Sequence, residues 1–144
     1  MFQRYSIAPE ELLDRDALSI EKARELARDR LVTIGSHCLT HKRLSLLSEE
    51  EARREISESR PILEAWLQVP VRHIAYPFGG RNACGEREFQ LAKAAAYRSG
   101  VTTRRENIFP RDRRDLLALP RRGVGSSRSN VRNCLYGTET LLRV

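Results

Sequence analysis

Two of the three histidines in this chain stand four positions apart, as His37-Cys38-Leu39-Thr40-His41. Residues i and i+4 of a helical turn project from one face, so the spacing predicts two imidazoles that reach one divalent ion. A pair of surface or cap histidines is the alternative, and the spacing alone does not choose between them. Cys38 lies between them as a soft competing ligand, although a helical turn points it elsewhere. Imidazole nitrogen suits zinc first, with nickel, cobalt and iron also acceptable. A second segment, Tyr76-Pro77-Phe78-Gly79-Gly80, reads by itself as an ordinary turn with two packed aromatics.

The elements that must position these residues alternate between helix and strand. Ser19 is an N-cap for a helix running to about Asp29, with Ala23, Leu26 and Ala27 on its inner side. Leu31-Val32-Thr33-Ile34, closed by Gly35, reads as a strand delivering the histidines. Ser48 and Glu51 form a capping box, and Ala52, Ile56, Ser59, Leu63 and Trp66 then recur at helical steps. Pro61 must bend or interrupt that helix. Residues 71–75 form a second strand leading into the turn at Tyr76. Residues 86–98 form a helix that Gly100 would end in a left-handed cap, and Val101-Thr102-Thr103 forms a third strand. Residues 104–115 read as a charged loop, with a fourth strand expected within 116–124 and a Gly/Ser-rich exposed stretch over 125–130. Repeated strand–helix units predict an α/β fold, a partial (β/α) barrel in which parallel strands alternate with helices.

Bulk properties agree with a single domain spanning residues 1–144. Hydrophobic residues make up 40% and charged residues 31%, which places the chain among globular rather than disordered or membrane proteins. No apolar run approaches the ~20 residues a bilayer requires, so no membrane association is expected. No secretory pattern opens the chain, which makes cytoplasmic the default compartment. The three cysteines are widely spaced and imply neither a disulfide framework nor a zinc knuckle. The net charge of +7 invites nucleic acid, but no aromatic residues interleave the arginine cluster near Arg104, and a basic solvated surface explains the charge as well. No nucleic-acid partner is expected.

The text around the histidines carries more. Leu31 to His41, followed by Leu44-Ser45-Leu46-Leu47-Ser48, resembles the second motif of the polysaccharide deacetylases, the nodulation-protein-B homology domain of carbohydrate esterase family four. His73-Ile74-Ala75-Tyr76-Pro77-Phe78-Gly79-Gly80 resembles that family's third motif, and Leu119-Pro120-Arg121 resembles a strand that often follows. The likeness covers about residues 18–124. It implies metal-dependent removal of acetyl groups, mainly N-acetyl, from a polysaccharide or chitooligosaccharide. By resemblance His37 and His41 are metal ligands, and the backbone N–H of Phe78 helps hold the oxyanion. Tyr76, Pro77 and Gly79 would shape the sugar groove. Arg121 is a candidate to orient a carboxylate there, or an exposed charge beside Arg122.

The sequence also departs from the family. The Thr-Phe-Asp-Asp-Gly strand, source of the catalytic base and third ligand, has no counterpart, and no Asp-Asp pair occurs anywhere. Asp14 and Asp16 are the nearest upstream carboxylates, but they read as helix or loop. Cys38 replaces a Ser or Thr that pins the histidine loop, which implies a looser loop. No histidine follows His73, so the late Leu-x-His segment is absent. These departures suggest an N-terminally truncated domain whose open side would associate with a second copy or a missing segment. Two readings therefore stand side by side: a deacetylase, and an inactive fragment that binds metal or carbohydrate without turnover.

Overall fold

The computed structural model describes residues 17–121. Ser19 caps α1 (Ile20–Arg28), its hydroxyl accepting from Lys22 N at 3.3 Å. Ala23 and Ala27 of α1 pack on the edge of the core, whereas Leu26, expected inside, is exposed. Ser48 and Glu51 close the expected capping box on α2 (Glu49–Ser57). The break falls at Glu58, and α3 (Ser59–Leu67) starts afresh with Pro61 in its first turn, where a missing N–H costs no helix bond. Ala52, Ile56 and Ser59 are buried as the stripe requires. Trp66 lies beyond the restart and is 48% exposed.

The sheet is parallel throughout its described part. β1 (His73–Ala75) pairs with β2 (Ser99–Val101) in the register Ile74 to Gly100. Single bridges extend it on both sides, Ser36 to Ile74 and Val101 to Leu119. The spatial order is thus Ser36, β1, β2, Leu119, which follows the chain order. Leu31-Val32-Thr33-Ile34 is not a strand: the bonding starts only at Ser36, whose N–H donates to His73 O and whose carbonyl accepts from Ala75 N, both at 2.8 Å. Leu31 is 84% exposed. In place of the fourth strand within 116–124 stand a short 3₁₀ turn (Leu116–Ala118) and the Leu119 bridge; residues 122–124, and the stretch expected to be exposed at 125–130, lie outside the described residues.

α4 (Glu86–Ala94) is shorter than expected, and its terminus corrects a second expectation. Tyr97 N donates to Ala92 O and Ala96 N to Lys93 O, the paired bonds of a Schellman closure. The left-handed residue is Ala96, with φ 59°, and not Gly100. Arg60 of α3 adds bonds to Ala95 O and Ala96 O. Gly100 serves β2 instead, because a Cβ there would come within 2.6 Å of the Tyr76 hydroxyl.

Leu44, Ile56, Val71, Ile74, Tyr76 and Phe89 form the centre of the core, between the helices and one face of the sheet. The opposite face borders a concavity of about 390 Å³ lined by Gly35, Ser36, His37, His73, Ala75 and Ser99 among others. Among the described residues, no helix is long and apolar enough to cross a membrane.

Candidate functional site

Parallel strands send their C-terminal ends to one edge of the sheet, and the loops that leave it carry the chemistry. After Ser36 the chain does not enter a helical turn. It runs as an irregular loop in which Cys38 (φ 65°) and His41 (φ 57°) both take the left-handed conformation. The two histidines still meet, with ring centroids 4.8 Å apart and planes inclined at 63°. Their meeting is therefore a product of the loop and not of helical spacing.

His37 is further fixed by a bond between its Nδ1 and the Ala75 carbonyl at 2.6 Å. A carbonyl only accepts, so Nδ1 carries a proton, and in the neutral ring Nε2 keeps its lone pair. That is the tautomer a metal ligand needs, with the other ring nitrogen held by the backbone.

Two tethers hold the loop despite the cysteine at position 38. Cys38 N donates to Ser36 Oγ at 3.3 Å, and Ser36 Oγ lies 2.7 Å from Ser59 Oγ in the buried break between α2 and α3. Leu39 N and Thr40 N donate to Glu55 Oε2 at 3.0 and 2.9 Å, and the Thr40 hydroxyl donates to Oε1. Burial works to raise the Glu55 carboxyl, but these bonds and the charge of Lys42 hold it below its ordinary value. Nothing in the linear sequence marks Glu55 apart from its neighbours in an acidic helix. Its single signal is a place on the buried stripe of α2, one residue before Ile56.

Cys38 packs against the core. Burial, then the charges of Glu55 and Cys84, push its thiol up to about 12.

The turn after β1 faces the histidines. Phe78 has φ 62° and Gly79 φ 57°, with Gly79 N donating to Pro77 O at 2.7 Å, so Phe78 is the centre of a tight, strained γ-turn. Thr103 braces it: its hydroxyl donates to Phe78 O at 2.6 Å and its N–H to Gly79 O at 3.0 Å. The Phe78 ring is exposed and its centroid lies 5.1 Å from that of His41. Among the described residues, the Phe78 N–H meets no acceptor. Tyr76 and Pro77 lie beneath the turn, buried. The Tyr76 hydroxyl donates to Leu117 O at 2.9 Å and so supports the turn from inside the protein. Arg121 is exposed two residues past the Leu119 bridge, its N–H on Arg104 O at 3.0 Å. Among the described residues it forms no ion pair.

The structure thus brings His37, His41 and Phe78 together over Tyr76, Pro77 and Gly79, with Arg121 further along the edge. As donors the two imidazoles fit a divalent ion. Among the described residues, no group of three His, Cys, Asp or Glu side chains could hold one. Asp14 and Asp16 lie outside the described residues.

The profile of the polysaccharide deacetylase domain matches residues 12–99, more than half of the chain. The chain belongs to the polysaccharide deacetylase family. Among solved structures, a deacetylase of Streptococcus pyogenes in complex with acetate is 24% identical with a TM-score of 0.69, covering 85% of this chain and 54% of that one. A polysaccharide deacetylase from Bacillus cereus is 26% identical with a TM-score of 0.62, covering 73% and 32%. The wild-type form of a CE4 family pseudoenzyme from Bacillus anthracis is 14% identical with a TM-score of 0.50, covering 97% and 53%. The chain therefore spans about half or less of the length of these solved structures. Comparison with curated proteins yields no match. The α/β fold with parallel strands and helices is that of the family.

Proposed function

We propose that this chain supplies the two-histidine part of a metal-dependent deacetylase site acting on N-acetylated oligo- or polysaccharide. The observation that carries this reading is the His37 bond to Ala75 O, which leaves Nε2 as a donor beside His41. The bound ion, zinc first, would supply Lewis-acid polarisation of an acetyl carbonyl and of water. Phe78 N–H would donate to the oxygen that gains charge, and the strained turn holds that donor in place before substrate arrives. Tyr76, Pro77 and Gly79 would shape the sugar groove by fixing this turn. Arg121 would reach a carboxylate from just past the Leu119 bridge. The remaining ligand and base would be carboxylates outside the described residues.

A second reading, binding of metal or carbohydrate without turnover, is favoured by one specific observation: the sequence has no paired aspartates, and the described residues offer no third ligand. The test is the metal content of the purified chain against His37→Ala/His41→Ala, followed by acetate release from chitin oligomers. Stoichiometric metal lost in the variant, with acetate released, supports the deacetylase. Metal without acetate supports the binding reading. No metal in either protein removes the site assignment.

A further inference from the structure

Both histidine ligands of the proposed site hang on a loop without regular structure, and the residues at its centre converge on one side chain. Glu55 is 6% exposed. Its carboxylate takes the N–H groups of Leu39 and Thr40 and the Thr40 hydroxyl. These two residues lie between Cys38 and His41, which both hold left-handed φ values. Such backbone persists at non-glycine positions only where the surroundings enforce it. A buried carboxylate in turn requires donors, and the loop supplies them. Glu55 itself stands on a firm base, because α2 is boxed at its N-terminus and Ala52 and Ile56 are fully buried.

We infer that Glu55 is a positioning residue for the metal site: it clamps the Leu39–Thr40 segment and so holds the His41 ring against those of His37 and Phe78. The inference rests on the metal-site reading above. Glu55 acts through the backbone, so loosening it would cost ligand geometry.

The bonding pattern separates this role from simple charge. In Glu55→Gln the amide oxygen can accept from both N–H groups while the amide nitrogen donates to the Thr40 hydroxyl, which accepts instead. Glu55→Ala removes the clamp. The experiment titrates the full chain with cobalt(II) by visible absorption, compares variants at equal folded fraction, and follows amide hydrogen exchange of Leu39 and Thr40 in metal-free protein. Glu55→Ala should weaken cobalt binding by about 10–100-fold, the range seen when support of a ligand is lost. It should also speed exchange at both amides, and Glu55→Gln should restore most of both losses. Wild-type affinity in Glu55→Ala, unchanged exchange, or a Gln variant as poor as Ala would overturn the clamp. If wild type binds no cobalt, the metal reading fails, and the clamp stands or falls on the exchange rates alone. Should Glu55→Ala not fold, Glu55→Asp draws the carboxylate back by one methylene from both N–H groups: faster exchange at the two amides supports the clamp, and wild-type rates overturn it.

Discussion

Replacing Gly79 by alanine tests the turn that presents the Phe78 N–H. Gly79 has φ +57°, and a Cβ built on it lies 2.6 Å from Thr103 N, 3.1 Å from Thr103 Cγ2 and 3.2 Å from Thr102 C. The first obstacle is backbone, which cannot swing aside as a side chain can. Relief requires the turn and β2 to separate, and that breaks the Thr103 N–H bond to Gly79 O. A left-handed alanine costs about 1 kcal/mol, overpacking about 1–3 and a lost hydrogen bond about 1, so the expected loss is about 3–5 kcal/mol. Gly80→Ala is the internal control: its Cβ meets only the Asn82 Oδ1 side-chain atom, at 3.2 Å, and the cost should stay within about 0.5 kcal/mol. Gly79→Asn tolerates the backbone angle but keeps the clash, so it should regain only about 1 kcal/mol. Urea unfolding at constant m-value reads all three differences. A Gly79→Ala midpoint equal to that of Gly80→Ala would refute the close approach and the bracing role of Thr103.

Other perturbations probe the frame around the site. Ala96→Gly, at an exposed left-handed cap, should stabilise by about 0.5–1 kcal/mol in the same assay, since glycine adopts that angle without strain; destabilisation would contradict the Schellman assignment. Tyr76→Phe should cost about 1–2 kcal/mol by orphaning the Leu117 carbonyl, and a neutral result would mean that water replaces the hydroxyl. Burial, opposed by Arg104 and assisted by Glu88, pushes the Cys84 thiol from 9.0 up to about 11. Because the folded value is the raised one, the associated stability is complete below about pH 9 and is lost as pH rises through about 11. Thermal midpoints measured from pH 8 to 11 should fall less steeply for Cys84→Ala than for wild type, and parallel slopes would remove the assignment.

Much of this protein is written locally. The caps at Ser19 and Ser48 depend on residues within one turn, so their effect does not wait for tertiary contacts. The restart of the helix near Pro61 is equally local, because a missing N–H fits a first turn and not an interior. The two motifs, His37 to His41 and Tyr76 to Gly79, were legible as family text, and they do share one edge of the sheet. The strand expected at Leu31 to Ile34 was not decided by its β-branched residues, since pairing needs a neighbour and β1 reaches only Ser36. Gly100 likewise looked like a helix cap in sequence. Its actual constraint is the Tyr76 ring, which comes from a distant part of the chain.

The sequence by itself determined the two motifs, their order and the likeness to the family, because side-chain chemistry and local caps belong to residues and their near neighbours. Only the tertiary structure decided how the two histidines meet. Their convergence depends on left-handed angles at Cys38 and His41, on the Ala75 carbonyl that selects the His37 tautomer, and on Glu55 from a separate helix. The Ala75 and Glu55 bonds are long-range contacts that sequence spacing cannot bring together, and the two angles persist where such contacts hold the loop, so the folded chain alone specifies the geometry of the site.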